Sequence, residues 1–285
     1  IPLRLVGSEM CIRDRRLVAW LNVNKTSSVF LNALPTEDDR LTCAEFAEVA
    51  ARYYGAPSPA CAPYVGMAIG GRVVDAYGFS LISEALPGGG FTCQHDMIKW
   101  AIAASAREMG QHVVTEVYGL FAAVIPQVGR RAMRAALRPR KRHGLVPDFL
   151  MRLKLEPAQP ASEWLLELKV AHLCRSWYRT TDVANAGSSS ATCLAVKRRS
   201  DAVPREYVQK AQMADQRYCG TAPGVVGPIE RRLRAFANVV PLVFGAFGET
   251  SEGVELLISA LASAGAERFW RRMKANKKET AEGAL

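Results

Sequence analysis

The chain has 285 residues, 49% of them hydrophobic and 22% charged, with a net charge of +10 and a pI near 9.4. Such a composition can bury a substantial core in one domain, or in one domain plus a small appendage, and it excludes a disordered chain. The positive excess points to a polyanionic partner, nucleic acid first and an anionic membrane second, while the lack of any eighteen-residue apolar run argues against a membrane span.

The seven cysteines are scattered without regular spacing, which fits reduced thiols in the nucleus or cytoplasm better than a secreted disulfide framework. Residues 1–15 look like the in-frame translation of a sequencing-library adaptor, and the chain does not begin with methionine. Setting that segment aside removes three basic and two acidic residues, so the net charge falls from +10 to +9 and the basic character survives. The chain is then expected to be a fragment lacking its true N-terminal portion.

Residues 16–60 read as a small helical lead-in, in which an apolar-periodic stretch over 41–54 is stopped by Gly55 and Pro57. From 56 to 90 the composition turns to Gly, Pro and Ala, as in a linker or irregular subdomain. A helix is predicted over 95–109, with Met97, Trp100, Ala101 and Ala104 near one face and Gly110 as its stop. A strand over 112–117 follows, then an apolar stretch to Ile125. Between 129 and 143 lie Arg130, Arg131, Arg134, Arg138, Arg140, Lys141 and Arg142, a cluster suited to contacting phosphates of a duplex.

Two strands are predicted over 146–153 and 163–170, because apolar residues recur at every second position, and the turn formers Pro157 and Pro160 between them allow a hairpin. Trp164, Leu166, Leu168 and Val170 are expected to face a core, with Glu167 and Lys169 on the opposite face. If the strands pair, Asp148 of Pro147-Asp148 lies beside Glu167 of Glu167-Leu168-Lys169. Two such carboxylates repel unless a divalent cation sits between them, and that cation would activate water while a nearby ammonium orients it. This is phosphodiester hydrolysis chemistry.

Residues 175–200 read as a polar surface loop and 203–218 as a helix carrying Gln209, Gln212, Gln216 and Tyr218. A short basic helix over 228–237, a buried strand over 238–244 and two closing helices over 254–264 and 267–275 complete the chain, with a frayed Lys-rich tail after 276. The order helix, strand, strand, strand, helix, strand, helix predicts an α/β sandwich built on a mixed sheet.

That order, with Pro147-Asp148 on the second strand and Glu167-Leu168-Lys169 on the third, resembles the PD-(D/E)xK restriction-endonuclease-like superfamily, whose later helix often carries a Gln-x-x-x-Tyr type motif. Gln212, Gln216 and Tyr218 fall in that region. The flanks, with Glu45-Phe46, Gly55-Ala56-Pro57, Cys61, Asp75-x-x-Gly78, Cys93-x-His95-Asp96 and Val239-Val240-Pro241-Leu242-Val243-Phe244-Gly245, are similar to the segment after the reverse transcriptase in non-LTR retrotransposon polyproteins.

The resemblance implies a restriction-endonuclease-like domain over 93–275, preceded by a lead-in and linker over 16–92. It implies a Mg2+- or Mn2+-dependent DNA endonuclease, with DNA and possibly the element's RNA as partners. Asp148 and Glu167 would hold the metal, Lys169 would position water, and Glu116 could add a third acidic ligand. Gln212 and Tyr218 would play supporting parts. The family's linker holds a Cys/His zinc knuckle, but here Tyr64 and Ser80 or Ser83 stand at ligand positions and Cys61, Cys93 and His95 are far apart, so no structural zinc is expected. A reading from another class is a catalytically inactive nucleic-acid-binding remnant that keeps the basic surface. A third is a structural α/β protein whose charge is incidental.

Overall fold

The computed structural model describes residues 40–82, 89–136, 145–153, 161–171, 177–178, 194–236, 239–246 and 248–269. The adaptor-like segment, the start of the lead-in, the C-terminal tail and most of the predicted 175–200 loop lie outside them. So do the positions of Arg138, Arg140, Lys141 and Arg142.

Contacts divide the chain into two compact units. The first takes the described residues of 1–95, 169–199 and 243–251, and the second those of 96–168, 200–242 and 252–285. The first unit draws on two later segments, which a division read along the chain could not anticipate.

The first helix, α1 (Cys43–Tyr54), starts with a capping box in which Glu45 N donates to Thr42 Oγ1 and Glu45 Oε2 accepts from Thr42 N. Gly55, with φ 80°, ends it in the left-handed region that glycine enters without penalty. Within the Gly/Pro/Ala stretch that follows, the described residues 56–82 include regular elements. These are a hairpin of two-residue strands, β1 (Ala68–Ile69) with β2 (Arg72–Val73), and a one-turn helix α2 (Phe79–Ile82). Asp75 fixes this turn, accepting from Tyr77 N at 2.8 Å, Phe79 N at 3.2 Å and Ser80 N at 2.6 Å.

Helix α3 (Gly90–Glu108) leads into β3 (His112–Thr115), with Gly110 at φ 79° between them. Helix α4 (Gln127–Ala136) precedes the hairpin of β4 (Phe149–Leu153) and β5 (Ser162–Ala171). The long helix α5 (Leu194–Cys219), the short α6 (Pro228–Ala235), strand β6 (Val239–Gly245) and α7 (Glu252–Phe269) follow. The four-stranded mixed sheet has the order β3-β4-β5-β6 and is flanked by helices, with β3, β4 and β5 antiparallel. The fold is α/β.

Being internal to the sheet, β5 is covered on both faces: Leu165, Leu166 and Leu168 are all within 1% of complete burial. The expected single dry face on that strand is therefore replaced by two. Leu165 packs with Phe121, Ile125, Leu145, Val203, Tyr207, Ala211, Ile229, Leu233 and Val239 in the core of the second unit. Each fully buried aliphatic side chain there stabilises by roughly 1.5–3 kcal/mol. Pro241 is accommodated because β6 is an edge strand.

Two helices differ from expectation. Helix α5 begins nine residues before the predicted start at 203, so residues 194–200 are helical and not loop. It tolerates Pro204 in its interior, where Arg205 Nε donates to the Asp201 carbonyl beside the missing ladder bond. Helix α7 runs unbroken through Gly265, which is buried, where two helices were expected. Asp215 of α5 sets the position of α6 by accepting from Ile229 N at 2.8 Å and Glu230 N at 2.9 Å. A Cβ on Gly227 would stand 2.2 Å from Asp215 Cγ, so this approach requires glycine.

Candidate functional site

The register of β3 with β4 pairs Thr115 with Phe149, and that of β4 with β5 pairs Phe149 with Leu166. Continuing each by one position sets Glu116, Asp148 and Glu167 in a single row across three strands. Two hydrogen bonds hold the row: Glu116 N donates to the Asp148 carbonyl at 2.9 Å, and Leu168 N donates to Asp148 Oδ2 at 2.9 Å. Directly opposed residues on antiparallel strands have Cβ atoms about 5 Å apart. Asp148, one residue before β4, is joined to β5 next to Glu167 by its bond from Leu168 N.

The three carboxylates sit in different surroundings. Glu167 is only 5% exposed, on the same strand face as Leu165, and Tyr207 of α5 donates to its Oε2 at 2.6 Å. The Tyr207 hydroxyl also lies 3.3 Å from the Val146 carbonyl, so one phenol ties the start of β4 and the middle of β5 to the helix. Burial pushes the Tyr207 hydroxyl well above its ordinary pKa of 10, and the charge of Glu167 and the hydrogen bond to it add to the shift, as does Asp148. Tyr207 therefore stays a donor. Asp148 is half-buried and gives the row its more solvent-accessible carboxylate beside Glu167.

At the other end, Glu116 has a left-handed backbone with φ 51°, which is uncommon for a residue carrying a Cβ. Lys99 Nζ donates to its Oε1 at 2.7 Å and Tyr118 OH to its Oε2 at 3.0 Å. The Lys99 hydrogen bond holds the Glu116 carboxyl below the ordinary glutamate value against the opposing effect of partial burial. Burial of the Tyr118 hydroxyl raises its pKa, and its bond to Glu116 raises it further.

Lys169 follows Glu167 by two residues on β5, at the point where the division between units falls. It is half-buried. Of the basic cluster, Arg130 and Arg131 are both exposed on α4, and Arg130 donates from Nε to the Ile125 carbonyl at 2.8 Å. Arg134 is on the same helix but its side chain lies outside the described residues. Gln212 is exposed on α5. Tyr218 packs against the core cluster, and its carbonyl meets Gly129, where a Cβ would stand only 2.3 Å away. Neither reaches the carboxylates through a described contact. The α5 side chain that does is Tyr207, and its sequence signal was its place in the apolar stripe Val203, Tyr207, Ala211, since a buried tyrosine needs a partner for its hydroxyl.

In the linker, Cys61 lies against Gly78, whose added Cβ would be 2.7 Å from its sulfur, and Asp75 is committed to the turn amides. Cys93 is exposed on α3. Among the described residues, no group of three or more His, Cys, Asp or Glu side chains is arranged to hold a metal ion. The expected third ligand Glu116 is accordingly in the row without joining such a group. A magnesium ion, however, is commonly held by one or two carboxylates, with waters and substrate phosphate oxygens completing its shell. The Asp148 and Glu167 pair fits that donor set. Among the described residues no helix is long and apolar enough to cross a membrane. No protein-family model, curated protein or solved structure matches this chain.

Proposed function

We propose that the chain is a metal-dependent DNA endonuclease domain of retroelement origin, with a restriction-endonuclease-like arrangement of its sheet. The observation that carries this reading is the bond from Leu168 N to Asp148 Oδ2, which brings the Asp148 carboxylate to the strand position beside Glu167, in a basic protein. Bound Mg2+ or Mn2+ would supply a water of lowered pKa and charge stabilisation at the scissile phosphate. The chain's own residues do the rest. Asp148 and Glu167 would hold the ion, with Tyr207 fixing the orientation of the Glu167 carboxylate. Lys169 would orient the attacking water, and Arg131 with the neighbouring basic residues would contact backbone phosphates.

The 5% exposure of Glu167 favours a second reading, a nucleic-acid-binding domain without catalysis. One experiment separates them. Purified protein is incubated with supercoiled plasmid and Mg2+ or Mn2+, with Asp148→Ala alongside. Nicking by the wild type that is lost in the variant supports the enzyme. A wild type no faster than Asp148→Ala, but still retarding DNA at low salt, supports the binding module.

A further inference from the structure

Lys99 stands out among the residues that the motif reading did not use. It lies on α3 and is 3% exposed, and a buried ammonium is sustained only by paired charge. Its Nζ reaches Glu116 Oε1 at 2.7 Å and Asp96 Oδ1 at 3.0 Å. Those two carboxylates are each 42% exposed, so the cation is fixed beneath them while they face outward. Tyr118 takes the second oxygen of Glu116, whose own amide is bonded to the Asp148 carbonyl. The clamp thus abuts the residue that the nuclease reading assigns to the metal.

We propose that Lys99 is a positioning residue that acts through Glu116. Its ammonium serves as the fixed counter-ion of that carboxylate, keeps it out of the divalent-cation site, and leaves Asp148 and Glu167 as the carboxylate ligands. The proposal rests on the metal-dependent reading above. The physical argument is one of competition. Three carboxylates in one cross-strand row would attract more cation than two, because affinity for hard divalent ions rises with the number of charged ligands. A buried ammonium already bonded to one of them removes that carboxylate from the competition, since a divalent ion would have to strip buried Lys99 of the nearer of its two counter-ions, leaving Asp96 alone to balance it.

The test is calorimetric titration of the full chain with Mn2+, comparing wild type with Glu116→Gln, Lys99→Arg and Lys99→Met. Glu116→Gln and Lys99→Arg are expected to stay within about threefold of the wild-type affinity, whereas Lys99→Met, which frees a carboxylate, binds about tenfold more tightly or takes up a second equivalent. A purely structural role for Lys99 would not produce such a gain. Loss of about tenfold or more in Glu116→Gln, the effect of deleting a ligand or its support, would overturn the proposal, as would unchanged or weakened uptake in a folded Lys99→Met. Should Lys99→Met not fold, Glu116→Gln and Lys99→Arg decide the matter. Failure of the nuclease reading is separately visible: a wild type that takes up no Mn2+ defeats that reading, and gain of uptake in Lys99→Met would still uphold the role of Lys99, while no gain would end both.

Discussion

Among the described residues are two buried tyrosine–glutamate pairs of the same length, one in each unit. Tyr207 donates to Glu167 at 2.6 Å in the second, and Tyr178 donates to Glu249 at 2.6 Å in the first. Around Glu249 the chain closes on itself: Ala246 N donates to the Tyr178 hydroxyl at 2.7 Å, Gly245 N donates to the Glu249 carbonyl at 2.7 Å, and a Cβ on Gly245 would stand 2.2 Å from Glu249 Cδ. That pair stitches a turn after β6. Glu167 has the same phenolic donor, yet it lies in the middle of a strand with Asp148 opposite it and Glu116 one strand further on. A buried carboxylate is a structural tie when its neighbours are the backbone of its own turn. It becomes a candidate for chemistry when a second carboxylate is held against it.

The comparison is broken most severely by exchanging the fates of the two tyrosines. Tyr207→Phe leaves Glu167 without its orienting phenol, and nicking with Mg2+ is expected to fall about 10- to 100-fold, the usual cost of removing a partner that orients a metal ligand. A plasmid assay at saturating DNA, with kcat reduced more than KM changes, checks this; equal activity would reduce Tyr207 to packing. Tyr178→Phe should do the reverse. It removes a donor from a buried carboxylate and an acceptor from the Ala246 amide, so urea unfolding should show a loss of about 1–3 kcal/mol, with DNA nicking unchanged at a temperature where the variant is folded. A fall in activity greater than the fall in folded fraction would erase the distinction between the pairs.

A smaller effect sharpens the other end of the row. Because Lys99 depresses the pKa of Glu116, the stabilisation is present above the ordinary glutamate value of 4.5 and is lost as pH falls through the lower folded value. Wild-type stability should therefore decline more steeply on acidification below 4.5 than that of Glu116→Gln. Partial exposure limits the difference to less than about 1 kcal/mol. Parallel curves from denaturant unfolding at a series of pH values would mean that the clamp adds nothing.

Much of this arrangement was legible in the residues. Alternating apolar positions marked β4 and β5, Pro157 and Pro160 allowed the hairpin between them, and Gly55 and Gly110 marked helix ends. Where sequence reasoning failed, tertiary packing had overridden a local signal. The polar, Ser-rich residues up to 200 read as a loop, but Ala195 and Val196 are buried against Ala171, Tyr178 and Val243, and that packing supports the extra turns of α5. Gly265 read as a break in α7, yet it is buried within an unbroken helix. The alternation on β5 read as one wet face because Glu167 and Lys169 are charged; its internal place in the sheet dries both. Lys99 and Tyr207 could not be assigned to the site from the chain alone. Lys99 is 17 residues from Glu116 and Tyr207 is 40 from Glu167, and nothing in their local context names those partners.

The account depends on Asp148 and Glu167 acting together on one divalent ion. The most direct measurement is an anomalous-scattering crystal structure of the protein soaked with Mn2+. The account predicts one peak about 2.0–2.3 Å from an oxygen of each of these two carboxylates, with Glu116 still bonded to Lys99. Well-diffracting crystals that show no peak there, or a peak held by Glu116 and Asp96 in place of Lys99, would contradict it.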